Sequence, residues 1–402
     1  MFRVTFHITE ECNMACTYCY EFKKNKVIQL GTATKFIDEI ISYKTGNNSF
    51  LGPYFETSGE ILTDTGVELD FIGGEITLYM DLVESITDYW FRECAKHHLV
   101  KWFYQTRIIL ETNGTTYFND DVQHFLNKYK EKVGAPITID GCKECHDKCR
   151  RYKDGSPSFD DVDRAVKAEI VRIGNIPNSK MTFTPDTFKY ILPSCQYLYS
   201  LGYQRARMNL DITKEITTVE CEQYKNELIK VADWILDNQI EFIITPFTYD
   251  YDSIKECSTC GMTGVQIAID VYGNLYNCFR FSESSLQDKY KPIGNIFNKT
   301  LDMNSVNDFL TRVSAHNNYQ CQGCPIVHCC EECPADNYYC NGDYFESVNN
   351  CGETVAEAQA NKYFIEKAKA TNYPYFRDII DKIKNEYDPN FMYYIYYTNN
   401  NE

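Results

Sequence analysis

The sequence predicts an α/β protein: a partial (β/α)6 TIM-like barrel, followed by a small cysteine-rich domain and C-terminal helices. Two observations support this fold class. Short apolar runs alternate with helical patterns from residue 2 to about residue 245, and cysteines crowd the region that follows. Such alternation is typical of a parallel sheet or an open barrel with helices outside. We therefore divide the 402 residues into a barrel (1–245), a cysteine-rich domain (246–370) and a C-terminal helix with a tail (371–402).

The barrel elements follow in chain order. Apolar runs bounded by turn residues predict strands at residues 2–8, 68–74, 106–114, 135–141, 180–185 and 205–212. Helical periodicity predicts helices at residues 33–43, 80–96, 120–130 and 159–173, with a long loop at 47–66. In barrels of this kind the active site lies at the carboxyl ends of the strands.

Beyond the barrel the pattern changes. Residues 265–278 read as strand, turn and strand, and their Tyr-Gly-Asn turn predicts a β-hairpin. A stretch dense in cysteine and poor in periodicity follows, and residues 353–384 return to a helical pattern.

Composition excludes several classes of protein. Lys and Arg number 40 against 57 Asp and Glu, a net charge of −17, which argues against nucleic-acid binding. No apolar run approaches the roughly 20 residues that span a membrane, and the first residues do not resemble a secretion signal. We expect a cytoplasmic protein. Its 19 cysteines, in a reducing compartment, are better explained as ligands of zinc or of iron–sulfur clusters than as disulfides.

The first cysteine cluster directly follows the first predicted strand. Cys12, Cys16 and Cys19 have the spacing Cys-x3-Cys-x2-Cys, which can hold three irons of a 4Fe–4S cube and leave the fourth iron open. This triplet resembles the signature of the radical S-adenosylmethionine (SAM) enzymes. The resemblance implies that the open iron binds SAM, which is cleaved by one electron to methionine and a 5′-deoxyadenosyl radical. Structural zinc is the alternative, but a fourth ligand is missing nearby.

Further motifs of the same family occur in the expected order. Gly73-Gly74-Glu75 resembles the GGE motif and residues 112–115 the TNGT turn, while residues 137–162 resemble the long run of peptide- and protein-modifying members. The resemblance implies these contacts to SAM: Tyr18, Gly73, Gly74, Glu75, Asn113, Thr138, Asp140 and Arg150. For Arg150 and for His146 in the same run, a purely structural hydrogen bond or ion pair is an equal alternative.

The C-terminal cysteines resemble the SPASM extension, which carries two auxiliary 4Fe–4S clusters. When the ligands of the family pattern are assigned to this sequence in order, the resemblance implies auxiliary cluster I on Cys257, Cys260, Cys278 and Cys333. It implies auxiliary cluster II on Cys321, Cys324, Cys330 and Cys351, with Cys329 as the alternative to Cys330. The choice is open because Cys330-x2-Cys333 is one residue shorter than the usual spacing. A pair of zinc sites is the other interpretation. Cys340 and a second triplet at Cys142, Cys145 and Cys149 have no assigned role.

The resemblance implies an anaerobic oxidoreductase with three 4Fe–4S clusters and SAM, which matures a ribosomal precursor peptide by thioether or other cross-links. The implied partner is a reductant such as flavodoxin or ferredoxin. Because the chain begins at the first barrel strand, a leader-binding domain is expected to be either absent or supplied by a separate leader-binding protein. Sulfatase-maturing relatives place an Asp base directly after the hairpin cysteine, where this chain has Phe279. Formylglycine formation, small-molecule chemistry and a non-catalytic metal-binding scaffold stay as alternatives. No general base is assigned.

Overall fold

The computed structural model describes residues 1–58, 66–174, 179–211, 216–248, 265–313, 324, 326, 333–344 and 351–376. The strands of this part are β1 Phe2–Thr9, β2 Val67–Gly73, β3 Arg107–Leu110, β4 Val133–Gly134, β5 Ser179–Phe183, β6 Arg205–Leu210, β7 Ile243–Ile244, β8 Gln266–Ile269, β9 Asn274–Tyr276, β10 Gly294–Asn295 and β11 Thr300–Leu301. The helices are α1 Leu30–Lys44, α2 Gly52–Ser58, α3 Met80–Lys96, α4 Val100–Gln105, α5 Asp120–Lys128, α6 Lys143–Cys149, α7 Phe159–Ile173, α8 Ile191–Ser200, α9 Thr218–Asp237, α10 Glu283–Leu286, α11 Met303–Val313, α12 Pro334–Asn341 and α13 Cys351–Ala370.

Parallel strands form the centre of the molecule, which confirms the predicted α/β class. One sheet has the order β11-β10-β9-β8-β1-β2-β3-β4, and a second has the order β5-β6-β7. All pairings among β1 to β7 are parallel. Alternate residues of each strand, such as Val4 and Phe6, are fully buried beneath the helices. The residues between them, such as Arg3 and Lys180, lie on the opposite, inner face, because successive side chains of a strand point to opposite sides.

The predicted hairpin forms, and its first strand joins the barrel sheet. Val4 of β1 lies between Leu69 of β2 and Ile267 of β8, and both pairings are parallel. Asp270 shapes the turn, since its Oδ1 accepts hydrogen bonds from the amides of Tyr272 and Asn274 at 2.8 and 2.9 Å. The hairpin therefore brings the cysteine-rich region directly against the first strand of the barrel.

Two local predictions are wrong. Residues 135–141 do not form a strand: β4 is confined to residues 133–134, and Ile137 makes only an isolated bridge to Thr112. Pro136 has no N–H to donate to a ladder, so pairing cannot run through it. The predicted loop 47–66 contains the helix α2, because Tyr54 and Phe55 provide an apolar face that is fully buried.

The C-terminal helix α13 returns to the barrel and packs on α9. Tyr224 donates a hydrogen bond to Glu357 at 2.8 Å, and Lys367 forms an ion pair with Asp233 at 2.7 Å. The predicted helix 353–384 is confirmed as far as Ala370, and residues 377–384 lie outside the described part. Within the described residues, every helix is too short or too polar to cross a membrane.

Candidate functional site: a cysteine loop at the carboxyl edge of the sheet

The loop that carries Cys12, Cys16 and Cys19 leaves the carboxyl end of β1. Cys12 is buried, Cys16 is half-buried and Cys19 is exposed. The loop is held by backbone hydrogen bonds to the segment after α6: the amide of Ala15 donates to Arg151 at 2.8 Å and that of Thr17 to Cys149 at 3.0 Å. These bonds hold the backbone of the loop between Cys12 and Cys19.

The GGE motif abuts this loop. The amide of Gly74 donates to the carbonyl of Thr9 at 2.7 Å, and that of Glu75 to the carbonyl of Glu11 at 2.8 Å. A side chain at Gly74 would place its Cβ only 2.0 Å from the carbonyl oxygen of Glu11, and Gly73 has φ +140° with a Cβ position 2.3 Å from the carbonyl oxygen of Thr9. Both glycines are therefore required by the close approach of the cysteine loop.

The Glu75 carboxylate joins the GGE motif to the TNGT turn. It is fully buried and accepts hydrogen bonds from the hydroxyl of Thr112 at 2.6 Å and from the amide of Asn113 at 2.7 Å. Thr77 also donates to it through its amide. Asn113 in turn directs its side-chain amide toward the sulfur of Cys12, at 3.9 Å. The motifs predicted to hold SAM are thus brought together around Cys12.

A second network connects Tyr18 to the far side of the barrel. Tyr18 donates a hydrogen bond to the carboxylate of Asp140, and Arg150 donates to the Tyr18 hydroxyl at 3.0 Å. The other oxygen of Asp140 accepts from the amide of Thr182 in β5, at 2.9 Å. Burial raises the pKa of Asp140, and the Arg150 guanidinium opposes that rise. Asp140 thereby joins the two sheets beside the cysteine loop.

Thr138, two residues before Asp140, is half-buried, and its amide donates to the carbonyl of Thr112 at 3.1 Å.

His146 supports this network without reaching the cysteine loop. Its Nδ1 accepts from the amide of Asp140 at 3.2 Å, so Nε2 carries the proton and donates to Ser158 at 3.0 Å. Ser158 donates to the carbonyl of Arg150 at 2.9 Å. Burial lowers the pKa of His146 well below its usual range, and the charge of Arg150 lowers it further. His146 is therefore a neutral residue that positions its neighbours. This agrees with the alternative given for it above, a purely structural hydrogen bond.

These residues fit an iron–sulfur cluster and SAM. Burial raises the pKa of the Cys12 thiol; burial, opposed by Arg150 and reinforced by the neighbouring sulfurs, raises that of Cys16 to about 11. Converging thiols of this kind need the positive charge of bound iron to ionise. The sulfur of Cys12 accepts from the amide of Met14 at 3.4 Å. Within the described residues the buried Nε of Arg150 has no hydrogen-bond partner, so it is a free donor for a carboxylate such as that of SAM.

The second cysteine region lies beside the first. Cys278 follows β9 and packs with Phe279 against an apolar cluster that contains Ala335, two residues after Cys333. Arg280 lies over the ring of Tyr20, its guanidinium carbon 3.8 Å from the ring centroid, and forms an ion pair with Asp336. Because Tyr20 directly follows Cys19, Arg280 connects the two regions.

The remaining predicted ligands are distributed as follows. Cys324 is half-buried, and Cys333, Cys340 and Cys351 are exposed. Cys257, Cys260, Cys321, Cys329 and Cys330 lie outside the described residues, so the choice between Cys329 and Cys330 stays a prediction. The second triplet surrounds α6, where Cys142 accepts a hydrogen bond from Ser194 at 3.5 Å. Across the described part, no three His, Cys, Asp or Glu side chains are arranged to hold a single metal ion.

The inner face of the barrel is strongly charged. Lys180 of β5 lies opposite Arg207 of β6, and both are exposed to solvent. Glu111, at the end of β3, interacts electrostatically with Lys180 and with Asp70, and burial together with Asp70 raises its pKa to about 7. The open space within the barrel is therefore bounded by an acidic side and a basic side.

Several of these contacts were missed by sequence reasoning. The Arg280–Tyr20–Asp336 contact joins residues more than 250 positions apart, and no local pattern predicts it. From the sequence, Glu75 was recognised only as part of the GGE motif, and SAM was its expected partner. In the structure its carboxylate accepts hydrogen bonds from the TNGT turn. For the charged inner face a signal existed, since Lys180 and Arg207 interrupt apolar strands.

Comparison with known proteins adds to this geometry. No profile of a known protein family matches the chain. An uncharacterized protein of Methanocaldococcus jannaschii is 27% identical over 205 residues, which cover 50% of this chain and 60% of that protein. A serine-type anaerobic sulfatase-maturating enzyme of Bacteroides thetaiotaomicron is 25% identical, covering 84% of this chain and 86% of that protein. The subtilosin biosynthesis protein AlbA of Bacillus subtilis is 24% identical, covering 86% and 68%.

Solved structures show the same fold. The enzyme anSMEcpe with bound AdoMet has a TM-score of 0.64 at 18% identity, covering 96% of this chain and 99% of that one. SuiB of Streptococcus suis, bound to its precursor peptide SuiA, has a TM-score of 0.54 at 14% identity, covering 87% and 75%. The chain is thus similar in sequence to anaerobic sulfatase-maturating enzymes and to AlbA, and it shares the fold of anSMEcpe and SuiB.

Proposed function

We propose that this protein cleaves SAM reductively and uses the resulting 5′-deoxyadenosyl radical to modify a ribosomally made peptide by oxidation, forming thioether or other cross-links. One observation carries the proposal. The loop of Cys12, Cys16 and Cys19, the GGE motif and the TNGT turn meet at one edge of a parallel sheet, and the Tyr18–Asp140–Arg150 network borders them.

The chain's own residues prepare this chemistry. A 4Fe–4S cluster held by Cys12, Cys16 and Cys19 supplies, when bound, the electron that breaks the carbon–sulfur bond of SAM. Arg150 offers its free Nε to the SAM carboxylate, and its position is fixed by Tyr18 and by the His146–Ser158 chain. The amides of Gly74 and Glu75 already donate to the cysteine loop, so the backbone carbonyls of this motif are the groups left to accept from the SAM ammonium.

Two auxiliary clusters complete the proposal and bring the total to three. Cys278 and Cys333 support auxiliary cluster I, since the two thiols lie near enough to interact electrostatically; Cys257 and Cys260 complete it. Cys321, Cys324, Cys351 and either Cys329 or Cys330 hold auxiliary cluster II. Clusters with four cysteine ligands leave no open iron, so they accept or relay electrons from the oxidised substrate. A one-electron reductant and a precursor peptide are the proposed partners, and the proposed compartment is the cytoplasm.

A peptide substrate is favoured over a sulfatase. SuiB, a structural neighbour, is bound to a precursor peptide, and AlbA takes part in the biosynthesis of a bacteriocin. Sulfatase-maturating enzymes are relatives too, and formylglycine formation is therefore the second candidate. Phe279 counts against it, because an apolar ring directly follows Cys278 where the sulfatase enzymes are expected to place an acidic base.

The first experiment measures SAM cleavage alone. The anaerobically reconstituted protein is mixed with SAM and dithionite, and 5′-deoxyadenosine is quantified by mass spectrometry. We expect its formation together with about twelve irons and matching sulfide per chain. Zinc without sulfide, or absence of 5′-deoxyadenosine, would refute the enzyme.

The second experiment identifies the reaction. The protein is co-expressed anaerobically with a short peptide encoded beside it, and the intact mass of the peptide is measured. Loss of two hydrogen atoms for each modified site supports oxidative cross-linking, and fragmentation locates the linked residues. A formylglycine in a sulfatase peptide offered under the same conditions would favour the second candidate instead.

A further inference from the structure

A basic and aromatic surface borders the cysteine loop. Residues 22–37 contain four lysines and no acidic residue, in a chain whose net charge is −17. We define the lysine patch as the exposed side chains Phe22, Lys24, Lys26, Lys35 and Phe297. Phe297 comes from a distant part of the chain, and the ammonium of Lys35 lies 5.0 Å from the centre of its ring.

The patch is held rigidly against the barrel. The amide of Phe22 donates to the carbonyl of Ser284 at 2.6 Å, and the carbonyl of Lys26 accepts from the amide of Glu10 at 2.9 Å. Between Lys26 and Phe297 the surface forms a groove of about 260 Å³, whose floor includes Tyr272. A fixed, grooved surface with exposed aromatic rings and flanking charges is suited to a protein partner.

The carboxylates near the patch cancel only part of its charge toward solvent. Glu10 is 1% exposed and accepts a hydrogen bond from Tyr272. Glu21 is buried and is paired with Lys23 at 2.7 Å, while the partly exposed Glu283 is paired with Lys24 at 2.5 Å and offsets its charge. The ammonium groups of Lys26 and Lys35 and the aromatic rings are the other outward-facing groups of the patch.

The patch also lies close to the proposed redox centre. Residues 22–26 directly follow Cys19, which is exposed, so only a short segment separates them from the three sulfurs. The ammonium of Lys23 lies near enough to Cys12 and Cys19 to interact with both sulfurs electrostatically. A protein seated on the patch would stand beside the cysteine loop, outside the barrel interior where the substrate is expected.

We propose that the lysine patch is the docking surface for an acidic one-electron carrier protein of the flavodoxin or ferredoxin class. This inference rests on the proposed function. The carrier loses one electron, a flavodoxin hydroquinone becoming a semiquinone, and the enzyme gains the one electron that SAM cleavage consumes. Opposite charge speeds the encounter and orients it, which matters for a transient electron-transfer complex. An acidic leader segment of the precursor peptide is the competing occupant.

The test compares two reductants in one assay. Formation of 5′-deoxyadenosine from SAM is measured for the variant Lys24→Glu/Lys26→Glu/Lys35→Glu. The reaction is driven once by reduced flavodoxin and once by dithionite, a small reductant that needs no docking. We expect the KM for reduced flavodoxin to rise about tenfold or more at low salt, with the dithionite-driven rate within about twofold of wild type. A matched control, Lys130→Glu/Lys167→Glu/Lys230→Glu, changes the net charge equally at exposed or partly exposed positions away from the patch and should leave both rates unchanged.

Each other outcome overturns the inference. An unchanged KM for flavodoxin, or an equal rise in the control, shows that the patch is not the docking surface. Equal losses with both reductants, in this variant and in its Lys→Gln counterpart, show that the patch supports the cluster instead. Weaker peptide modification with unchanged flavodoxin KM assigns the patch to the precursor peptide. If wild type makes no 5′-deoxyadenosine, the proposed function fails, and salt-dependent flavodoxin binding by calorimetry still tests docking.

Discussion

The two cysteine regions differ in what holds them in place. The N-terminal loop is fixed by hydrogen bonds: its backbone pairs with residues 149–152, and the Glu75 carboxylate ties the surrounding motifs together. In the C-terminal region, the described part is held by an apolar cluster of aromatic rings. Phe309 lies between Phe281 and Tyr344, with ring centroids 5.3 Å from each.

This difference predicts that the two regions depend to different extents on their proposed iron–sulfur clusters for their folded structure. A hydrogen-bonded loop at a sheet edge is ordered by the protein, so it can present three sulfurs and an open side to SAM. An aromatic cluster of limited size is a weaker scaffold, and fully ligated clusters there would contribute to folding as a metal site does. The contact of Arg280 with Tyr20 and Asp336 is where the two regions meet.

The largest expected effect tests the N-terminal loop. Cys16→Ala removes one of the three proposed cluster ligands, so 5′-deoxyadenosine formation should be abolished, and iron should fall to about eight per chain if the two proposed auxiliary clusters stay bound. Iron analysis and product quantification measure this. Cys94→Ala, in the buried face of α3, is the control and should keep full activity. Retained SAM cleavage in Cys16→Ala would refute the site.

The next effect tests the junction of the two regions. Asp336→Ala leaves the largely buried Arg280 guanidinium without its carboxylate, so the free energy of unfolding should fall by about 3 kcal/mol. Anaerobic denaturant unfolding measures it. Asp160→Ala, whose ion pair with Lys143 is exposed, should change little. Adding Arg280→Met should restore part of the loss; a double variant as unstable as the single one would contradict this account.

A smaller effect is the pH dependence of the free energy of unfolding, which should come from a buried carboxyl group of the barrel and not from the aromatic cluster. Burial raises the pKa of Glu68 to about 7 despite the Arg3 guanidinium 2.6 Å away. A raised carboxyl pKa contributes stability below the unfolded pKa of about 4.5, and this stability is lost as pH rises through 7. Between pH 5 and pH 8 the wild type should lose about 2 kcal/mol relative to Glu68→Gln. Parallel unfolding curves at both pH values would disprove it.

The smallest expected effect concerns SAM binding. Arg150→Lys keeps a positive charge but loses the free Nε donor, so the KM for SAM should rise about tenfold while iron content stays unchanged. Steady-state kinetics with dithionite separate KM from kcat. Arg151→Lys, the exposed neighbour, provides the control. A fall in kcat alone would indicate that Arg150 only positions Tyr18.

Local patterns predicted much of the fold. Helices α3 and α7 begin and end where the periodicity placed them, and the hairpin turn formed because Asp270 and Gly273 suit it. The parallel pairing of β8 with β1 was beyond sequence reasoning, since a four-residue apolar strand carries no information about a partner 260 residues away. The strand predicted at residues 135–141 failed because a single proline outweighed an apolar run.

The candidate site was predictable as a set of residues but not as a network. The cysteine triplet and the GGE and TNGT motifs were found from spacing, and the structure places them together. That Asp140 binds both Tyr18 and Thr182, or that Arg150 keeps one donor free, depends on atoms from three separate segments. Hydrogen-bond partners of this kind are set by tertiary packing rather than by local sequence.

The pairing of β1 with β8 has a consequence for synthesis of the chain. β1 leaves the ribosome before every other strand described here, yet its second neighbour begins at residue 266. At 5–20 residues per second, β1 keeps an open edge for roughly 10 to 50 s, with the cysteine loop attached to it. An unpaired strand edge promotes association between chains. Nascent chains should therefore need a chaperone or a cluster-loading factor at this edge, and truncations before residue 266 should aggregate.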